Sequence, residues 1–134
     1  MDEAHMNPTF QITGIGQIAV TVDDIPRAEA FYRDVLDLKH LFRAGDSMTF
    51  FDCGDTRLML GLAEPGKPRA HSSILYFRVD AIEAAFARLA ARHVTIVEPP
   101  QRVARMPDHD LWLGFFEDGE GNTMSLMAEV RPPA

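Results

Sequence analysis

The chain has 134 residues, 46 % of them hydrophobic and 25 % charged, with a formal net charge of −7 and a pI of about 5.1. A chain of this size buries about two thirds of the surface it exposes when unfolded, enough for a real core. The acidic balance argues against nucleic acid, whose phosphates need clustered Lys and Arg. No run approaches the ~18 apolar residues of a membrane span, and the single Cys53 excludes an intrachain disulfide and suits a reducing cytoplasm.

Residues 1–10, with Pro8, carry no periodic pattern. Over 15–22 the sequence alternates, with Ile18, Val20 and Val22 on one face and Gln17, Ala19 and Thr21 on the other, which predicts a strand. Asp24 is placed to cap the next helix and Pro26 suits its first turn. Ala28, Phe31, Tyr32, Val35 and Leu36 form one apolar stripe, so the helix should end near Asp37. Strands are expected around 39–43, 48–52 and 57–62, with turn signals at Ala44-Gly45-Asp46 and Gly54-Asp55. Residues 63–71, with Pro65, Gly66 and Pro68, read as a linker. A strand at 73–79 follows, then a capping box of Asp80 and Glu83 and a helical stripe through Ile82, Ala85, Phe86, Leu89 and His93. Further strands are expected near 95–97, 110–117 and 122–128. Pro99 and Pro100 open what reads as a long irregular connection through Pro107, placed to cover a site.

The second set of elements repeats the first, 57 positions on. Ile18, Val20, Val22, Asp23, Ile25, Ala28 and Ala30 become Leu75, Phe77, Val79, Asp80, Ile82, Ala85 and Ala87. Fixed-period similarity of this kind means two copies of one supersecondary unit. The expected fold is α+β: two βαβββ modules, about 12–62 and 72–128, in a single domain spanning 1–134. Each helix covers one face of its sheet. The opposite faces, with Gln17, Ala19 and Thr21 in one half and Ile74, Tyr76 and Arg78 in the other, are expected to form a shared cleft for a small molecule. Long sheet edges left by this arrangement point to a homodimer.

The segments IGQIAVTVDD at 15–24, AEAFYRDVL at 28–36 and FEDGEGN at 116–122 resemble the vicinal oxygen chelate superfamily. Its members include glyoxalase I, extradiol dioxygenases and bleomycin resistance proteins. The resemblance implies the glyoxalase/bleomycin resistance/dioxygenase-like fold. It also implies a divalent-metal site built from four inward strand positions, which fall here on Gln17, Met59, Ile74 and Ser125. Ile74 has no donor atom, Met59 offers a soft thioether and Ser125 a weak neutral oxygen, so only Gln17 suits a hard cation. No metal cofactor is therefore expected. The resemblance points instead to the bleomycin-resistance mode, in which a protein sequesters its ligand without a metal.

The expected ligand-binding cleft comprises Gln17, Ala19, Met59, Ile74, Tyr76, Trp112 and Ser125. Arg57 and Arg78 fall on inward faces, where they would either meet an anionic ligand group or snorkel at an edge. His109, between Asp108 and Asp110, is the candidate catalytic residue. A histidine flanked by carboxylates serves as acid or base if it reaches the cleft, and is otherwise a solvated turn. The alternative to a binder is therefore an enzyme, a glyoxalase-like lyase or isomerase or a dioxygenase. It would use His109 or a non-standard metal site from Gln17, His71 and His109.

Overall fold

The computed structural model describes Phe10, residues 13–66 and residues 73–132. The first half runs β1 (Gln17–Val22), α1 (Ile25–Ala30, continued by a π-helical turn over Phe31–Val35), β2 (Lys39–Ala44), β3 (Met48–Cys53) and β4 (Thr56–Leu62). The second runs β5 (Leu75–Arg78), α2 (Ile82–Ala91), β6 (Ile96–Arg105), β7 (Asp110–Glu117) and β8 (Thr123–Val130). Two four-stranded sheets result, ordered β1-β4-β3-β2 and β5-β8-β7-β6. In each, the first strand pairs in parallel with the last and the other pairs are antiparallel. These are the two expected βαβββ modules.

The first helix begins as its sequence dictates. Asp24 is extended, its side chain accepts from the Arg27 amide at 2.9 Å, and Pro26 sits in the first turn where no donor is lost. The second does not. Ala81 is the last extended residue before α2 and offers no side-chain cap, so the expected box of Asp80 and Glu83 does not form. The chain turns into the helix one residue later than the aspartate requires.

The repeat also slips. Tyr32 and Leu89 correspond at a spacing of 57, but Leu38 and Val94 correspond at 56. The Leu38 amide reaches back to the Tyr32 carbonyl at 3.0 Å, and the Val94 amide to that of Leu89 at 3.1 Å. The first helix therefore holds one extra residue, and the wide turn over Phe31–Val35 absorbs it. Each helix then ends on a non-glycine residue of positive φ, Asp37 (59°) and His93 (63°).

The expected loop from Pro99 to Pro107 is mostly strand. β6 is ten residues long, contains Pro99 and Pro100, and pairs with β7 through three register shifts. It is the edge of its sheet, where a proline's missing N–H costs no ladder bond and bulges absorb the irregularity.

The helix-side residues of both halves merge into one core. Val20, Val22, Tyr32, Phe51 and Leu60 belong to the same cluster as Phe86, Leu89, Phe116, Met124 and Leu126. The turn between β7 and β8 fastens the halves. Asp118, 5 % exposed, accepts from the Tyr32 hydroxyl at 2.6 Å, the Asn122 side-chain amide at 2.8 Å, and the Glu120 and Asn122 backbone amides at 2.8 Å. Asn122 also donates to the Thr21 carbonyl at 3.1 Å. Glu120 accepts from the Asp23 and Asp24 amides at 2.5 and 3.0 Å and pairs with Arg27. Burial opposes its ionisation, but Arg27 and those amides outweigh burial and hold the carboxyl below its usual range.

The two helices meet their sheets through different chemistry at equivalent positions. Glu29 and Phe86 lie 57 apart; their strand counterparts are Thr49 on β3 and Gly114 on β7, which pair with Leu60 and Leu126 respectively. In the first half Glu29, 8 % exposed, accepts from Thr49 Oγ1 at 2.8 Å and from Arg43 at 2.8 and 3.1 Å, with His40 Nε2 3.2 Å away. In the second half the Phe86 ring lies directly on Gly114.

The hydrogen bonds from Arg43 bring the Glu29 carboxyl down to about 2; burial opposes them and the Thr49 hydroxyl assists. A lowered folded-state value stabilises the protein above the unfolded pKa and is lost as pH falls toward the folded one. Stability should therefore drop by about 2 kcal/mol between roughly pH 4.5 and pH 2 on this residue's account. Urea midpoints of wild type and Glu29→Gln across that range check it. The variant should start lower and lose less, and parallel curves would show that Glu29 does not drive the acid transition.

Candidate functional site

The strand faces turned away from the helices are the candidate site. On the first sheet, register sets Gln17 beside Arg57 and Ala19 beside Met59, with Phe50 across from Met59 and Phe42 across from Phe50. Gln17 Oε1 accepts from Arg57 Nε at 2.7 Å, and Gln17 Nε2 points to the Met59 sulfur at 3.8 Å. The Arg57 guanidinium lies 5.2 Å from the Phe50 ring centre, and Phe50 stacks on Phe42 at 4.6 Å with the planes 22° apart.

On the second sheet Ser125 lies between Tyr76 and Phe115. Those two rings meet edge-on at 5.9 Å. Ser125 is fully buried and its hydroxyl donates its proton to the Gly114 carbonyl at 2.7 Å. Ile74 precedes β5 and is 39 % exposed, while Tyr76 is 48 % exposed.

Gln17, Ala19 and Met59 are thus neighbours on one sheet, and Tyr76 and Ser125 neighbours on the other. Trp112 stands apart. It pairs with Ala128, shares its face with Gly114 and Phe116, and packs against the helix-side core. The aromatic on the open face of β7 is Phe115. The hairpin turn could have revealed this, because pairing Glu117 with Thr123 across it puts Phe115 opposite Ser125 and Trp112 on the helix side. Phe42 and Phe50 were missed for want of a known β2–β3 register, which the Gly45 turn, with φ of 63°, sets.

His109 sits in the turn before β7. Its Nδ1 is 2.7 Å from Asp108 Oδ1 and its Nε2 is 3.8 Å from Glu129 Oε2, and the side chain is only 13 % exposed. The hydrogen bond from His109 lowers the Asp108 carboxyl from its usual range. His71 lies outside the described residues. Among the described residues no three His, Cys, Asp or Glu side chains gather as a metal set. Burial pushes the Cys53 thiol up, away from nucleophilic use.

A hollow of about 620 Å³ lies elsewhere, where β5 of the second half approaches the helix side of the first sheet. Ile18, Leu38, Cys53, Leu75, Phe77 and Leu126 line it, and of the seven expected cleft residues only Tyr76 borders it.

Residues 14–126 match the sequence model of the Glyoxalase/Bleomycin resistance protein/Dioxygenase superfamily. The chain belongs to this superfamily. Solved structures agree on the fold. A superfamily member from Sphaerobacter thermophilus DSM 20745 is 24 % identical and superposes with a TM-score of 0.73 over 88 % of this chain and 98 % of its own. TnmS3, an antibiotic binding protein from Streptomyces sp. CB03234, is 23 % identical with a TM-score of 0.70 over 90 % and 99 %. Lactoylglutathione lyase from Agrobacterium tumefaciens is also 23 % identical, with a TM-score of 0.68 over 88 % and 95 %. Among the described residues no helix of this superfamily member is long and apolar enough to cross a membrane.

Proposed function

We propose that this superfamily member is a metal-independent small-molecule binder that holds its ligand against the open faces of its sheets. The observation carrying this reading is the chemistry of those faces. Each has an aromatic pair, Phe42 with Phe50 and Tyr76 with Phe115, beside polar side chains. The positions that the family likeness assigns to a metal do not fit one. Ile74 lacks a donor, Met59 is soft, and Ser125 offers only a buried neutral hydroxyl, a weak ligand whose proton goes to Gly114. The likeness to an antibiotic binding protein is consistent with sequestration.

The helix-side faces share the core, and on the open faces Phe42 is 47 % and Tyr76 48 % exposed. A homodimer that brings the first sheet of one copy to the second sheet of its partner would turn two open faces into one cleft. The lone Cys53 suits a reducing cytoplasm.

The second reading is an enzyme in which His109, held between two carboxylates, moves a proton. Metal and turnover separate the two. Protein purified without chelator should carry no stoichiometric Ni, Zn, Fe or Mn, bind none tightly by calorimetry, and show no lyase turnover of a glutathione hemithioacetal. A chelator-removable metal whose loss abolishes turnover would replace the binder by the enzyme. So would metal-free turnover lost in His109→Asn.

A further inference from the structure

We infer that the open face of the first sheet selects planar aromatic ligands carrying a carboxylate or similar oxyanion, with Arg57 as the residue that reads the charge. This rests on the open face being the binding surface and adds the ligand's chemical class.

Arg57 is fixed from two sides. Its Nε donates to Gln17 Oε1 at 2.7 Å and its guanidinium plane lies over the Phe50 ring at 5.2 Å. A guanidinium has five N–H donors in a rigid fork, and among the described residues the terminal nitrogens of Arg57 have no hydrogen-bond acceptor. Asp52 is its register partner on β3, yet no carboxylate among the described residues forms an ion pair with Arg57. The other arginines of this half are employed: Arg27 on Glu120, Arg33 and Arg43 on Glu29. A cation already oriented by an amide and a ring loses little freedom when it takes an anion, and the fork matches a carboxylate in bidentate fashion.

The surface beside it suits a flat body. Phe42 is stacked on Phe50 and presents an exposed ring, and Met59 supplies an adaptable neighbour. Among the described residues the Gln17 amide nitrogen meets the Met59 sulfur alone, at 3.8 Å, and is available to a ligand oxygen. A planar ligand resting against Phe42, with its anionic group extended past Phe50 to Arg57, would draw on these groups together.

The test is titration of the intact protein with 2-naphthoate, methyl 2-naphthoate and 2-naphthylmethylammonium. The carboxylate should bind about tenfold or more tightly than the ester, and the ammonium should be weakest. Arg57→Met, which keeps the stem and removes the charge, should erase the preference for carboxylate over ester while the ester's Kd stays put. Phe42→Ala should weaken both by similar factors. Circular dichroism checks that both variants fold, as expected for exposed positions. Equal Kd for acid and ester in wild type, or a preference that survives Arg57→Met, overturns the charge selection. If Phe42→Ala still weakens the ester in that case, the open face stands as the binding surface. If no probe binds, or neither substitution changes binding, both readings fall.

Discussion

Asp118→Ala should destabilise the protein by about 3–5 kcal/mol, the largest effect expected of any single polar substitution here. The carboxylate fills four hydrogen bonds at once, two from backbone amides within its own turn and two from side chains, one of them Tyr32 of the other half. Truncation leaves those donors facing a dry pocket. An unmet buried donor costs about 1–3 kcal/mol, several times the net gain from a made bond. Asp118→Asn keeps the shape but turns an amide NH2, itself a donor, toward donors, and should cost about 2 kcal/mol. Tyr32→Phe removes one donor and leaves the carboxylate its other three, so about 1 kcal/mol is expected. Urea unfolding gives the order Ala, then Asn, then Phe at the tyrosine. A loss under 1 kcal/mol for Asp118→Ala would mean that the turn is not what fastens the halves. Because both halves share one core, each variant should still unfold in a single transition.

The same turn shows how far the sequence could be read. Alternation in β1 and β5 and the helical stripes after them made the two βαβββ units visible, because a residue facing water on one side and core on the other must obey period two or period 3.6. The extra residue in the first helix was hidden, since a π turn keeps the apolar stripe in place while shifting everything after it by one. The capping box at Asp80 failed for a related reason: side-chain capability was present, but the path out of β5 decided which residue came last. β6 was hidden by its prolines, which exclude an inner strand and permit an edge. For the candidate site, Gln17, Ala19 and Met59 were legible as one face because parallel pairing of β1 with β4 follows from the module itself. Trp112 went astray because an aromatic in a strand looks alike on either face until the hairpin register is worked through.

The role of the FEDGEGN segment was also only half visible. Gly119 and Gly121 suit a tight turn, and Gly121 takes the positive φ of 79° that favours glycine. Nothing local said that the acids between them are acceptors for the other half. Glu120 and Asp118 look like solvated turn residues in sequence, yet both are buried. Long-range partners 86 to 97 residues away supply the reason, and no window of sequence contains them.

Gly114→Ala is expected to cost about 2 kcal/mol, although alanine in a strand is ordinarily better than glycine by a few tenths to about 1 kcal/mol. A Cβ at this position would lie 2.5 Å from two atoms of the Phe86 ring and 3.1 Å from the Pro100 nitrogen. The ring is 5 % exposed and also meets Phe116 edge-on at 6.4 Å, so it has little room to swing aside. Phe86→Leu alone should cost about 1–2 kcal/mol by removing buried ring area. Combined with Gly114→Ala it should cost clearly less than the sum, because the shorter side chain vacates the space the new methyl needs. A coupling of about 1 kcal/mol or more from a double-mutant cycle in urea is the expected reading. Additive losses would place the penalty on Pro100 instead, since its backbone nitrogen is the next nearest atom. The corresponding cycle in the first half, between Glu29 and Thr49, should also couple, but with pH dependence, because there a carboxylate and a hydroxyl occupy the places of the ring and the glycine. Duplicated backbones have thus reached the same helix-to-sheet contact by a polar and an apolar route, and acid should loosen only the first.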